Sequence, residues 1–157
     1  MSVVDDVSLE LQEFVPYQLS ILANTVSRAL AERYGEEFGL SIAQWRVMAV
    51  LGREGGLSAG EVAERTAMDK VGVSRAVAAL SKSGRVSQRT DPDDGRRRHL
   101  RLTAAGRRVY RRIVPRAREF ERAFIERLDV RERSMLERLM PALHRAAEAV
   151  ARESGVG

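Results

Sequence analysis

The stretch DKVGVSRAVAALSKSGRVSQRTDPDDGRRRHLRLTAAG, residues 69–106, changes its apolar period twice. In its first part Val73, Val77 and Leu80 recur at steps of four and three, which places them on one face of a helix. Asp69 stands where a side-chain cap is needed, and Gly84 falls just past the end. From residue 85 to residue 90 the pattern becomes strand-like, residues 91–95 are turn formers, and Leu100 and Leu102 then alternate with Arg101 in a second strand. This predicts a two-stranded hairpin. At its tip Asp91, Asp93 and Asp94 meet Gly95 and the cations Arg96, Arg97 and Arg98, and Thr103 is placed to cap a further helix.

Working outward, Ser58 followed by Glu61 reads as a capping box for a short helix carrying Val62 and Ala63 inward, and a tight connection through Thr66, Ala67 and Met68 joins it to the helix that begins after Asp69. Two short helices joined in this way are a helix-turn-helix candidate. Ser41 with Gln44 opens the helix before them, through Trp45, Met48 and Leu51 to the stop at Gly55 and Gly56. The first helix, over about residues 16–34, is expected from Val15, Leu19, Leu22, Val26 and Leu30, with Pro16 suited to its first turn. A fifth helix runs along Val109, Ile113, Ala117, Phe120 and Phe124, with Pro115 inside it and a kink expected there. A sixth, capped by Asp129 with Glu132, is expected to bury Leu136, Leu139, Leu143, Ala147 and Val150. Three helices followed by a hairpin give the order of a winged helix-turn-helix. The predicted fold is therefore mostly α with a small two- or three-stranded β wing and long terminal helices.

Composition narrows the function. At 157 residues, with 44% hydrophobic and 31% charged residues and 5% aromatic, the chain has the make-up of one folded, largely helical domain. The lack of cysteine excludes thiolate metal sites, disulfides and thiol switches. No uncharged apolar run is long enough to span a bilayer and the acidic start is unlike a secretory leader, so a cytoplasmic location is expected. The net charge of +5 suggests a polyanionic partner. Only Lys70 and Lys82 are lysines, and the positive charge is concentrated between residues 85 and 122 while the first 40 residues are acidic. There is no nucleophile elbow, phosphate-binding glycine loop or zinc helix, and His99 and His144 lie far apart with no companion cysteine, so neither an enzyme, a metal nor a cofactor is expected.

Residues 69–89 and the wing DPDDGRRRHLRLTAAG resemble the MarR family of transcription regulators, and the resemblance covers almost the whole chain. It implies a homodimer with intertwined terminal helices, made of parts at about residues 1–38 and 120–157, a winged lobe at about 41–103 and a linking helix at 104–119. It also implies repression of promoters through a pseudopalindromic double-stranded DNA site, with release by a small phenolic or other aromatic acid. The sequence departs from the family at Gly72, where serine or threonine is common.

Candidate contacts follow from the helix face opposite the core stripe. Lys70, Val71, Ser74 and Arg75 stand near the start of the recognition helix, where short side chains let it approach base edges, and Lys82 and Arg85 are expected on the DNA backbone. Asp94 is expected to orient a neighbouring arginine, and Arg96, Arg97 and Arg98 to reach a minor groove. Tyr17, Trp45, Arg46, Met48 and Phe14 are candidates for the small-molecule cleft, with Arg46 meeting either a ligand carboxylate or an acid such as Glu13 or Glu32. The competing readings are plain: a solvated hairpin for the wing, core packing for the cleft aromatics, a ligand-independent regulator or activator, or a winged-helix module that binds protein.

Overall fold

A computed structural model describes residues 9–90 and 98–155, apart from the side chains of Tyr34 and Glu36. Among the described residues six helices and two strands follow in the order α1 (Val15–Phe38), α2 (Ile42–Arg53), α3 (Ala59–Thr66), α4 (Lys70–Lys82), β1 (Val86–Thr90), β2 (Arg98–Leu102), α5 (Ala104–Ile125) and α6 (Val130–Glu153). The chain forms two compact units, residues 1–114 and 115–157, and the division falls at Pro115 within α5.

Local signals set the helix starts. The Ser41–Gln44, Ser58–Glu61 and Asp129–Glu132 pairs all form reciprocal capping boxes, each satisfying amides that have no partner inside the helix. Asp69 caps α4 through the Gly72 amide. Asp69→Ala is expected to lower stability by about 1 kcal/mol, read as a fall in the urea midpoint with an unchanged slope. Gly84, at φ +70°, turns the chain out of α4 so that the Arg85 amide returns to the Leu80 carbonyl at 2.8 Å before β1 begins.

In the first unit α2, α3 and α4 pack on one another, and the hairpin closes the layer against α2, α3 and α4. Val47, Met48, Leu51, Val62, Val73, Val77 and Leu80 from the helices meet Val86, Leu100 and Leu102 from the strands and Ile113 from α5, all buried. Each such side chain contributes roughly 1.5–3 kcal/mol of transfer free energy, set against the conformational entropy lost on ordering the lobe. The strands are antiparallel, with Val86 opposite Leu102 and Thr90 opposite Arg98. A third segment joins the edge through a single bridge: the Leu100 amide donates to the Leu57 carbonyl at 2.8 Å and the Gly56 amide to the Leu100 carbonyl at 2.8 Å.

The second unit holds the end of α5 and all of α6. Arg133 clamps the turn between them, its guanidinium donating to the Leu128 carbonyl at 2.9 Å and the Glu126 carbonyl at 3.2 Å. Within the single chain α6 has no buried residue, and Leu139, Leu143 and Val150 of its apolar stripe are exposed. The apolar side of a helix in so small a unit has too little protein within the unit to cover it.

Candidate nucleic-acid interface and small-molecule cavity

The recognition geometry begins in the turn between α3 and α4. Thr66, buried, donates its hydroxyl back to the Val62 carbonyl at 2.7 Å, and Ala67 takes a left-handed conformation at φ +51° that reverses the chain within one residue. A non-glycine residue there stores strain, held by the packing on either side. The turn sends α4 across the lobe with Val73, Ala76, Val77 and Leu80 inward, and Lys70, Val71, Ser74, Arg75 and Ala78 on the exposed face. Val71 is 58% exposed despite being apolar. Lys82 is exposed in the last turn. Gly72 has a local reason: a Cβ there would lie 3.2 Å from the capping carboxylate of Asp69. The structure thus brings Lys70, Val71, Ser74 and Arg75 together on one projecting surface.

Arg85 is placed otherwise than expected. Half-buried, its guanidinium donates to the Phe38 carbonyl at the end of α1 at 2.8 Å, so the side chain is committed inside the lobe rather than extended toward a phosphate. The chain turns inward at Gly84, and the carbonyl group at a helix end offers a charged donor a better partner than solvent does. In the wing, Arg98 is exposed at the start of β2 and its guanidinium lies 3.5 Å from the Gln88 side-chain oxygen. Asp94, Arg96 and Arg97 lie outside the described residues.

Where the wing meets α5, Thr103 does the work of three contacts. Its amide donates to the Arg85 carbonyl at 3.0 Å, its hydroxyl donates to the Gly84 carbonyl at 2.6 Å, and the same oxygen accepts from the Gly106 amide at 3.0 Å. Gly106 is buried in the first turn of α5, where a Cβ would fall 2.0 Å from the Arg85 carbonyl oxygen. The Thr-Ala-Ala-Gly motif is therefore a joint that seats the helix on the root of the hairpin. The cap at Thr103 is expected from the sequence, whereas the close backbone approach at Gly106 has no local signal.

The cleft candidates separate. Trp45 and Arg46 line a cavity of about 110 Å³ with Val26, Ser27, Leu30 and Leu40. Arg46 points to the Ser27 hydroxyl at 3.4 Å, rather than to Glu13 or Glu32. Met48 does not line this cavity: it is 0% exposed and belongs to the core, because it shares the inward side of α2 with Val47 and Leu51. Tyr17 lies on a different groove, of about 360 Å³, with Ile21 and Leu22 on α1. Phe14 stands at the residue before α1, makes no side-chain cap hydrogen bond and is exposed. Trp45 also stacks on Tyr110 of α5, ring centres 6.2 Å apart and planes inclined by 25°. Gly52 leaves room for that ring, since a Cβ there would fall 2.5 Å from it. Nearby, Arg112 lies 5.1 Å above the Phe38 ring and pairs with Glu37 at 2.8 Å, tying α5 to the end of α1.

A helix-turn-helix with a projecting basic helix face and a β hairpin beside it defines a winged-helix DNA-binding protein. The family model described as MarR family matches residues 38–97. Among solved structures, the PcaV transcriptional regulator from Streptomyces coelicolor is 30% identical, covering 83% of this chain and 98% of its own, with a TM-score of 0.64. PcaV has also been solved in complex with its natural ligand. A MarR/EmrR family transcriptional regulator from Acinetobacter sp. ADP1 is 23% identical, covers 90% of this chain and 99% of its own, and reaches a TM-score of 0.80. BpsR from Bordetella bronchiseptica, solved in work on the regulation of its DNA binding by 6-hydroxynicotinic acid, is 23% identical over 87% of this chain and 97% of its own, with a TM-score of 0.76. Among curated protein sequences none matches. The chain belongs to the MarR family of transcriptional regulators. No helix among the described residues is long and apolar enough to cross a membrane.

Proposed function

We propose that the protein is a dimeric, sequence-specific repressor that leaves its operator when a small aromatic acid binds. The observation that carries the DNA-binding part is the division of α4 into a buried stripe and an exposed face of Lys70, Val71, Ser74, Arg75 and Ala78. Lysine and arginine supply phosphate attraction, and the small residues between them allow the helix to sit deep enough for base contacts. Lys82 and Arg98 extend the positive surface, and Arg96 and Arg97, outside the described residues, are the sequence's candidates for the minor groove, with Asp94 expected to orient a neighbouring arginine.

Dimerisation is supported by apolar surface that the single chain leaves uncovered. On α1, Val15, Leu19, Ile21 and Leu22 are exposed, and on α6 so are Val130, Met135, Leu139 and Met140. Patches of this kind mark an interface. A second copy of the chain is the natural occupant, since a two-fold dimer would also present two recognition helices to a pseudopalindrome. Selection of bound duplexes from a random pool tests this reading: two half-sites about one helical turn apart support it, and failure to enrich any duplex contradicts it.

The ligand part rests on the cavity beside Trp45 and Arg46. It has room for a single ring, an indole on one wall and a guanidinium that can take a carboxylate bidentately. BpsR, associated with 6-hydroxynicotinic acid, makes a ring acid the first chemistry to try. Because Trp45 stacks on Tyr110 and α5 is seated on the wing root, a ligand that moves the indole can favour a lobe placement that no longer fits DNA. At about a hundredfold excess over Kd, a binding acid should add roughly 2.7 kcal/mol of stability, several degrees in melting temperature. Arg46→Ala should abolish that shift. If no benzoate or hydroxynicotinate raises the melting temperature, the protein is a ligand-independent regulator; if the variant responds like the parent, the acid binds elsewhere and the cavity beside Arg46 is not its site.

A further inference from the structure

The hairpin has a second face. Val86, Leu100 and Leu102 point into the lobe, so Ser87 and Arg89 of β1 and His99 and Arg101 of β2 stand on the other side. The register sets Ser87 opposite Arg101 and Arg89 opposite His99. Together with Gly55 and Gly56 these residues line an open groove of about 790 Å³ along the described part of the hairpin. The glycines keep one wall low: a side chain at Gly56, whose φ is +85°, would come within 2.9 Å of the Arg101 guanidinium. His99 is pinned by donation from its Nδ1 to the Gly56 carbonyl at 2.8 Å.

The charge on this face is unbalanced. None of the described residues lining the groove is acidic. Other arginines of the same unit find carboxylates, Arg65 with Glu54 at 3.3 Å and Arg112 with Glu37 at 2.8 Å. Neither the Arg89 nor the Arg101 guanidinium has a hydrogen-bond or ion-pair partner among the described residues. Diagonal neighbours on a hairpin stand about 7–8 Å apart, so the two cations repel each other in the free protein and an anion between them relieves that repulsion.

We propose that this outer face holds the sugar-phosphate backbone of the bound duplex, with Arg89 and Arg101 each neutralising a phosphate and the Ser87 hydroxyl available as a further donor. The inference rests on the reading of the lobe as a DNA-binding one. It adds a contact surface beyond the recognition helix and the wing tip, the two places where the family resemblance puts contacts. A duplex suits the groove better than a small metabolite does, because small-molecule sites are enclosed and mostly apolar, whereas this one is open and lined by Ser87, Arg89, His99 and Arg101. The phosphate backbone carries no sequence information, so these two side chains set affinity and salt dependence, not operator choice.

The test is a salt titration of duplex binding by the full chain, comparing the parent with Arg89→Gln, Arg101→Gln and the double variant. Both side chains are exposed, so the variants should fold, which circular dichroism checks. The slope of log K against log salt should fall by about 0.9 for each single variant and about 1.8 for the double. Between 50 and 200 mM salt the double variant should therefore lose roughly tenfold less affinity than the parent, while the ratio of operator to non-specific binding is unchanged. Arg75→Ala, tested on the same duplex, separates the two readings. If it weakens binding while the double variant keeps the parent's slope, the outer-face proposal is overturned and the DNA-binding function stands. If the parent binds no duplex, both fail. If inorganic phosphate binds in an Arg89- and Arg101-dependent way while the duplex slope does not move, the groove is a small-anion site and the proposal is likewise overturned.

Discussion

Gly106→Ala is expected to lower stability by about 3 kcal/mol, a drop of roughly 6–12 °C in melting temperature for a chain of this size. The direction is informative because intrinsic propensity points the other way. In an open helix, replacing glycine by alanine gains about 0.5–1 kcal/mol. Here the added Cβ meets the Arg85 carbonyl oxygen at 2.0 Å, and that atom is backbone, which cannot swing aside as a side chain does. To admit it, α5 must lift from the hairpin root. That movement strains the Thr103 amide to Arg85 carbonyl bond and the Thr103 hydroxyl to Gly84 carbonyl bond, at 3.0 and 2.6 Å. Thermal unfolding at one protein concentration checks it, and a variant that melts within 2 °C of the parent would show that the joint is loose.

Ser74→Glu should leave folding alone and abolish operator binding. Ser74 is exposed at the centre of the α4 outer face, between Val71 and Ala78 and beside Arg75, so stability should change by no more than about 0.5 kcal/mol. Against DNA the same carboxylate would sit among phosphates and acceptor-rich base edges. Like-charge juxtaposition at an interface costs several kcal/mol, and each 1.4 kcal/mol is tenfold, so the loss should be about a hundredfold or more. Fluorescence anisotropy with a labelled duplex, paired with a melting curve, reads both halves. A winged-helix module that recognises protein instead of DNA has no reason to discriminate in this way.

The parts of the fold that could be read from sequence are those fixed by local chemistry. Ser41, Ser58 and Asp129 announce their helices because a capping box needs only residues three apart. The hairpin is legible because a period of two in Leu100 and Leu102 has one interpretation once turn residues precede it. What could not be read depends on approach between distant segments. Arg85 and Phe38 are 47 positions apart, and nothing near either one signals that a guanidinium will find that carbonyl. The same holds for the demand at Gly106 for a missing side chain, which comes from the backbone of Arg85.

At the candidate site the exposed face of α4 was legible, since the buried stripe Val73, Val77 and Leu80 leaves only one other side. The cleft was legible in part. Trp45 and Arg46 do line one cavity, but Met48 turns into the core, because α2 carries apolar residues around more than one side and sequence alone does not say which side meets the core, and Tyr17 lies on a separate groove of α1. The uncovered stripe of α6 is the converse case. Its helical period is clear, whereas burial requires knowing what lies against it.

The central claim is that the α4 face and the basic hairpin beside it bind duplex DNA as one surface. It is tested most directly by measuring the affinity of the purified full chain for a duplex selected from a random pool, across a range of salt. The account predicts tight binding that weakens steeply and linearly in log salt, with a selected site made of two related half-sites. Binding that does not respond to salt, or no binding even in dilute buffer, would contradict it.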